Sequence, residues 1–346
     1  MKGKKARLLV ITQKVDRDDP VLGFFDEWLR SFEPLFDEIN VICLFRGKSV
    51  LGSKTKIWSL GKERKTSRIR YLWLFYRYVF KLRNSYDAVF VHMNVEYVLL
   101  AGLWWRWTGK KIILWYNHTS GGWKTRLAFH IAHVLCHTSP YAASAGKIKS
   151  QRMPAGINTA IFKEQSLPRR EHSILFIGRI APIKKVHVLV DALLILYKKN
   201  IPFFTAIYGD ALPSTLYYVE QLKAKAHALT KEGKLSFFSA IKNRETPSIY
   251  NSYEIFVNLT PRGNFDKTVL EALACGTTVL ASSDAFYEVL EEPYRFIEDD
   301  PEELARKIEH VFRTPRNKET RERHSAYVKK EHELSYLGLR LRKLIQ

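Results

Sequence analysis

The chain has 346 residues, 46% hydrophobic and 26% charged, with no short repeat or low-complexity tract, which predicts a fully folded chain. Single cores stop growing near about 250–300 residues, so two compact domains are expected. The formal charge of +21 is uneven: residues 1–170 hold 30 Lys/Arg against 12 Asp/Glu, and residues 171–346 hold 26 against 23.

From the N-terminus, MKGKKARLLVITQ has a basic flank, but its apolar run is only Leu8 to Ile11 and no small-residue cleavage site follows. It reads as a first strand, Ala6–Thr12, and not as a leader. Short β-branched runs then alternate with longer amphipathic stretches, the pattern of a parallel sheet covered by helices. Further strands are predicted at Glu38–Leu44, Ala88–His92, Lys111–Trp115 and Val134–Thr138, with helices at Phe24–Phe36, Ile69–Leu82 and Tyr97–Thr108. Neither Tyr71–Phe80 nor Tyr97–Trp105 reaches the ~18 apolar residues of a membrane span. Cys43, Cys136 and Cys275 lie far apart in apolar stretches, which predicts buried thiols in a reducing, cytoplasmic compartment with no disulfide or metal pair.

A polar, Pro-containing stretch at 163–173 is the expected linker. A second alternation follows, with strands at Ile174–Gly178, Phe204–Tyr208, Leu235–Phe238, Ile255–Leu259, Thr278–Ala281 and Tyr294–Ile297. Helices are predicted at Lys185–Lys198, Leu216–Thr230, Thr246–Ser252, Thr268–Cys275 and Pro301–Arg313, and Thr320–Gln346 reads as a charged amphipathic helix or helix pair.

The most informative stretch is ILFIGRIAPIKKVHVLVDALL, residues 174–194. A buried strand ends at Gly178, Arg179 follows, and Lys184 stands just before an apolar helix. Ligands of open α/β sheets bind outside the carboxyl ends of strands, so Arg179 and Lys184 project where a phosphate would sit. A solvated basic turn is the plain alternative. In VNLTPRGNFDKTVLEALACGTTVLASS, residues 257–283, a strand runs through a Gly-containing loop into a helix. The first-turn amides near Asp266–Thr268 can bind an anion, and Glu271, one turn on, can accept two hydrogen bonds from vicinal ribose hydroxyls or simply be a surface residue.

The order strand, Gly-Arg-x-x-Pro-x-Lys, helix, followed some eighty residues later by Leu-Glu-Ala-x-Ala-Cys-Gly-x-x-Val, resembles the large GT-B retaining glycosyltransferases of group 1 (family 4). The likeness covers nearly the whole C-terminal half, and MPAGINTAIF at 153–162 is similar to the segment that precedes the family's linker. It implies an α/β fold of the GT-B class, two Rossmann-like domains with a cleft between them. An acceptor-binding domain would span 1–165, a nucleotide-sugar-binding domain 166–318, and helices at 319–346 would cross back. The implied activity is retaining transfer of a hexosyl group from a UDP- or GDP-linked sugar, with no metal and no cofactor. The acceptor would be a glycan or a lipid-linked molecule.

Carried over residue by residue, the resemblance implies that Arg179 and Lys184 stabilise the leaving diphosphate beside Gly178. Glu271 would bind ribose, the amides of Phe265, Asp266 and Lys267 the diphosphate and sugar, and the loop at Ala240 and Ile241 the base. The family's second glutamate, eight residues before the helical one, is Gly263 here, so Asn264 or Asp266 stands in for its sugar contact. His118, after a predicted strand, matches the histidine near the anomeric centre; a capping histidine is the alternative. His92 and Asn94 would line the acceptor side. The glycine-rich loop after the first strand is replaced by TQKVDRDDPVLGFF, in which Gly23 is a substitute. Asp16 and Asp18 have Asp-x-Asp spacing, read as a solvated loop or acceptor contact in preference to a metal site.

Within residues 64–83, Leu72, Phe75, Tyr76, Val79 and Phe80 share helical spacing with basic residues beside them. This suits an anionic membrane surface better than nucleic acid, with exposed Trp73 or Tyr76 at the headgroup level, while a core helix with a solvated basic side is the third reading. The rival functions are a non-catalytic or nucleic-acid-binding basic protein and a sugar-nucleotide epimerase of similar architecture. The Gly-Arg and Leu-Glu-Ala pair argues against the epimerase.

Overall fold

The computed structural model describes residues 6–314 and 316–346, so the basic start at Lys2, Lys4 and Lys5 lies outside the described residues. The chain divides into two units. One runs to Gly156 and takes in 242–244 and Leu334–Gln346; the other comprises Ile157–Ile241 and Glu245–Glu333.

The first unit contains β1 (Arg7–Val15), α1 (Phe24–Phe32), β2 (Glu38–Arg46), β3 (Thr55–Ser59), α2 (Arg68–Lys81) and β4 (Ala88–His92). It continues through α3 (Val95–Trp107), β5 (Lys111–Trp115), α4 (Trp123–Ile131), β6 (Val134–His137) and β7 (Ser150–Arg152). The strands form one parallel sheet in the order β3-β2-β1-β4-β5-β6-β7. The central strands are apolar on both faces because helices cover both. On one side α1 sends Phe25, Trp28, Leu29 and Phe32 into the core, the 3.6-residue periodicity of an amphipathic helix. On the other side α2, α3 and α4 contribute Phe75, Val79, Val98, Trp105 and Phe129.

The second unit contains β8 (Arg170–Ile177), α5 (Val186–Lys198), β9 (Phe204–Tyr208), α6 (Leu216–Lys225), α7 (His227–Lys231) and β10 (Leu235–Phe238). It continues through α8 (Thr246–Ser252), β11 (Tyr253–Asn258), α9 (Lys267–Ala274), β12 (Thr278–Ala281), α10 (Pro301–Arg313) and α11 (Lys318–His332). Its parallel sheet has the order β10-β9-β8-β11-β12, and Val186, Leu189, Leu193, Leu304 and Ile308 from α5 and α10 fill one side. The terminal helix α12 (Leu334–Ile345) belongs to the first unit, where Leu337 and Leu341 join the α1 side of the core. Gly338 lets α12 approach closely, since a Cβ there would meet Leu35 Cδ1 at 2.7 Å.

The main stretch of the first unit ends at Gly156, and of the two C-terminal helices α11 belongs to the second unit and α12 to the first. Other expectations are corrected. The end of the expected linker is strand: β8 begins at Arg170, whose guanidinium lies 3.5 Å from the Phe204 ring centroid, and the His172 amide donates to Glu254 at 2.8 Å. Tyr294–Ile297 is not a strand. Pro293 lacks an amide donor and ends in a short 3₁₀ turn, Glu292–Tyr294, leaving a single bridge from Ala281 to Arg295. The helix expected at Phe24–Phe36 stops at Phe32, two residues before Pro34. The edge strands β3 and β7 and the helix α4 carry too little pattern of their own to be read from sequence. All three cysteines are buried and free. Among the described residues, no helix is long and apolar enough to cross a membrane.

Candidate functional site

All strands of the second sheet are parallel, so their carboxyl ends share one edge. Chain order reverses there: β8 leads outward to β9 and β10, while β11 and β12 lie on its other side. A doubly wound sheet opens a crevice at such a switch point. The loops after β8 and β11 lie side by side at it, and they hold Arg179, Lys184 and residues 259–266.

Gly178 closes β8, its amide donating to the Tyr208 carbonyl at 3.0 Å. Arg179 is exposed and has no ion pair or hydrogen bond among the described residues. Lys184 ends a 3₁₀ turn, Pro182–Lys184, and reaches across to the β11 loop. Its Nζ lies 2.5 Å from Asp266 Oδ2 and donates to Thr260 Oγ1 at 3.3 Å, while the Thr260 hydroxyl donates to the same carboxylate at 3.2 Å. Asp266 also caps α9, accepting from the Thr268 amide at 3.3 Å and the Thr268 hydroxyl at 2.9 Å. Burial pushes the Asp266 carboxyl up, but the charge and hydrogen bond of Lys184 and the two bonds from Thr268 outweigh it and hold the pKa at about 2.

The loop before α9 is pinned by the next one. Gly263, at φ +75°, donates its amide to Asp284 Oδ1 at 2.7 Å, and Arg262 pairs with the same carboxylate at 3.3 Å. Asn264 turns its amide group back toward the carbonyls of Pro261 and Arg262, both at 3.4 Å, and its own carbonyl accepts from Ser283 at 2.8 Å. The Phe265 ring sits 4.9 Å from Phe286 and 5.9 Å from His332. Lys267 is the first residue of α9. Glu271, expected at the surface on the plain reading, is 3% exposed and accepts from the buried Tyr250 hydroxyl at 3.4 Å. Ala240 and Ile241 are half-buried after β10, and the Ala240 amide donates to Asp210 Oδ1 at 3.0 Å.

Sequence reasoning missed Thr260, Asp284, Tyr250, Gly209 and Asp210. The last two had a signal, a Gly-Asp step directly after a strand. Gly209 is required because a Cβ there would lie 1.9 Å from the Gly178 carbonyl oxygen. The Asp210 carbonyl accepts from Ile180 at 3.1 Å, so this residue ties the Arg179 turn to the Ala240 loop.

In the first unit the switch point lies between β1 and β4. Asn94 follows β4 and accepts from Gln13 of β1 at 2.9 Å. His92 is buried among rings, 4.9 Å from Phe25 and 5.6 Å from Trp28. His118 sits in the loop after β5 with its ring 5.3 Å from Tyr116; desolvation lowers its pKa even though part of the residue stays exposed to solvent. The Asp16 carboxylate accepts the amides of Asp18 and Lys48, both at 3.2 Å, and Asp18 pairs with Lys48 at 3.7 Å. Gly23 lies against backbone, its Cβ position 2.5 Å from the Asp19 carbonyl oxygen.

Residues 158–331 match the profile of the family described as glycosyl transferases group 1. A mannosylfructose-phosphate synthase of Agrobacterium fabrum is 26% identical over 112 residues, 32% of this chain and 25% of that protein. A D-inositol 3-phosphate glycosyltransferase of Segniliparus rotundus is 25% identical over 154 residues, 42% of this chain and 34% of that protein. The chain thus spans only a quarter to a third of the curated relatives it matches. The Anabaena protein Alr3699/HepE, solved with UDP, superposes with a TM-score of 0.76 at 14% identity, covering 97% of this chain and 98% of that one. The same protein solved with UDP-glucose gives a TM-score of 0.76, also at 14% identity and covering 97% and 98% of the two chains. The fold class is GT-B, with two Rossmann-like units.

Proposed function

Because the chain belongs to the group 1 glycosyl transferases, we propose that it transfers a hexosyl group, with retention, from a nucleotide-diphosphate sugar to an acceptor. The observation that carries this reading is the pair of cations at the β8/β11 switch point, exposed Arg179 and loop-bridging Lys184. When the bond from the anomeric carbon to the diphosphate oxygen breaks, its electron pair stays on the diphosphate. A cation held beside that growing charge, as Lys184 is by Asp266, lowers the barrier directly, Arg179 adds a second charge, and this reading calls on no metal or other cofactor. Glu271 is the ribose acceptor in this reading, Ala240 and Ile241 border the base, and the Phe265–Lys267 backbone meets the diphosphate and sugar. His118, whose neutral form is favoured by desolvation, is the residue this reading assigns to the transferred sugar.

UDP is the favoured donor nucleotide over GDP, supported by the fold shared with the Anabaena protein solved with UDP and UDP-glucose. The acceptor is a glycan or lipid-linked molecule at the cytoplasmic face of an anionic membrane, supported by the basic excess of residues 1–170, 30 Lys/Arg against 12 Asp/Glu. The test is mass-spectrometric screening of UDP- and GDP-sugars for hydrolysis and transfer, with and without EDTA. Turnover of a UDP-sugar that survives EDTA and falls at least about tenfold in Arg179→Ala is the expected result. No turnover of any sugar nucleotide, with UDP leaving the melting temperature unchanged, would remove the assignment.

A further inference from the structure

The three helices α2, α3 and α4 cover one side of the first sheet, and their inner residues account for that side's core. Their outer surface is unusual for a solvated face. Trp107 is 80% exposed, Trp123 70%, Leu103 69% and Trp73 57%. The helix α3, VEYVLLAGLWWRW, is apolar nearly all round, although only one side of it meets the sheet. A helix of that kind normally lies inside a core or in lipid.

The three helices lie side by side, so their outer sides adjoin. The Tyr76 hydroxyl of α2 donates to the Leu100 carbonyl of α3 at 3.0 Å, and the ring of Phe80 meets Trp104 at 5.1 Å, which in turn lies 5.3 Å from Trp107. Gly102 brings α3 onto α4, since a Cβ there would lie 2.4 Å from Ile131 Cγ2, and Arg106 donates to the Ile131 carbonyl at 2.8 Å. Charge on the three helices has one sign: Arg68, Arg70, Arg77, Lys81, Arg106, Lys124 and Arg126, with Glu96 as the single carboxylate. Two of the cations sit over exposed indoles, Arg77 5.2 Å from Trp73 and Lys124 5.7 Å from Trp123.

We infer that the outer face of α2, α3 and α4 is a membrane-docking surface. On it Trp107, Leu103 and Trp123 enter the headgroup and upper acyl region of an anionic bilayer, and the flanking arginines and lysines bind its phosphates. Indoles favour that depth because their rings are apolar and their N–H is polar. Cations beside them match the negative leaflet, a complementarity that neither a neutral partner nor a solvated face requires. The inference rests on the proposed action at a membrane and deepens it by naming the face. It also moves the insertion point from α2, where the Tyr76 hydroxyl is already bonded, to α3 and α4.

The test is co-sedimentation of the full chain with vesicles of equal phosphatidylglycerol and phosphatidylcholine, and with phosphatidylcholine alone. Wild type should partition at least tenfold more strongly onto the anionic vesicles. Trp107→Glu/Trp123→Glu should weaken that partition at least tenfold, and Arg77→Glu/Lys124→Glu, which leaves the indoles in place, should do the same. Tyr336→Glu/Leu339→Glu, on α12 across the sheet, should bind as wild type. If wild type stays in solution with anionic vesicles, the membrane reading itself fails. If wild type binds and both α2–α4 variants bind equally well, the membrane reading survives and this face is wrong. Binding of a 20-nucleotide DNA that is sensitive to the same variants, with no vesicle binding, would assign the face to nucleic acid instead.

Discussion

Lys184 and Asp266 form an ion pair of 2.5 Å across the switch point of the second sheet, although 82 residues separate them. The pair joins the turn after β8 to the cap of α9, so one contact positions the cation and shapes the loop that carries Phe265 and Lys267. A lysine held at a fixed place is worth more to a departing diphosphate than one on a free side chain, because its reorganisation is complete before reaction.

Lys184→Ala therefore has two effects that a cycle separates. Loss of a preorganised transition-state contact, about 2.7–4 kcal/mol, should lower turnover by about 10²–10³-fold. The same change strands the Asp266 carboxylate and should lower the melting temperature. In Lys184→Ala/Asp266→Asn the stability should return while turnover stays low. A double variant that recovers both would make Lys184 a structural residue only.

Arg179 should behave differently, since it is exposed and makes no ion pair or hydrogen bond among the described residues. Arg179→Ala is expected to change stability by no more than about 0.5 kcal/mol, the ordinary range for surface positions. Its turnover should nevertheless fall by at least about tenfold, the loss of a charge-assisted contact of roughly 1.5–3 kcal/mol. Unfolding midpoints and steady-state rates on one preparation check both halves, and unchanged rates would leave Arg179 as the solvated turn residue that its sequence alone also allowed.

Acid stability follows from the depressed Asp266 pKa, about 2 against an ordinary 3.8. A carboxyl whose folded pKa lies below its unfolded value stabilises the native state above the unfolded value, and that contribution is lost as pH falls from about 4 towards 2. With its side chain 18% exposed, the group contributes on the order of 2 kcal/mol. Urea unfolding at pH 6 and pH 2.5 should show this loss in wild type and a correspondingly smaller one in Asp266→Asn. Equal losses in the two proteins would mean that the ion pair adds no stability.

The parts of this architecture legible in sequence were those written locally. The apolar runs at Leu8–Ile11 and Ile174–Ile177, the Gly178-Arg179 step and the helix expected from Thr268, which begins one residue earlier at Lys267, all carry their own signal. Strand order was not legible, because the switch points depend on which strand pairs with which. The Lys184–Asp266 contact was hidden for the same reason: both residues were singled out, yet nothing in either segment points to the other. The surroundings of His92 were hidden in the same way: the rings of Phe25 and Trp28 that pack on it are delivered by α1, far off in sequence. Tyr294–Ile297 had strand composition, but Arg295 donates to the Leu290 carbonyl at 2.5 Å and the Tyr287 carbonyl at 2.8 Å, folding the segment onto itself.

Gly209 tests how closely the donor edge is built. Its missing Cβ would lie 1.9 Å from the Gly178 carbonyl oxygen, which is backbone and cannot rotate away. Gly209→Ala should thus force β8 and β9 apart where Arg179 emerges, with an overpacking cost of about 1–3 kcal/mol. A melting temperature within error of wild type would show that the two strand ends have slack.

Gly263 occupies the position at which the resemblance expects a glutamate, and the structure supplies a reason to expect that restoring it will fail. At φ +75° an L side chain is strained, costing about 1–2 kcal/mol, and the Gly263 amide is already anchored on Asp284 at 2.7 Å. For a unit of some 150–250 residues each kcal/mol shifts the melting temperature by about 2–4 °C, so Gly263→Glu should melt several degrees lower. Gly263→Ala should lose a similar amount, because the strain belongs to the backbone and not to the carboxylate. The donor KM of Gly263→Glu should not improve, since its side chain would leave a loop whose path is set by Arg262, Asp284 and Ser283. Differential scanning fluorimetry and donor titration decide the point. A Gly263→Glu protein that melts with wild type and binds donor more tightly would mean the loop retains the family's path and has merely lost its side chain.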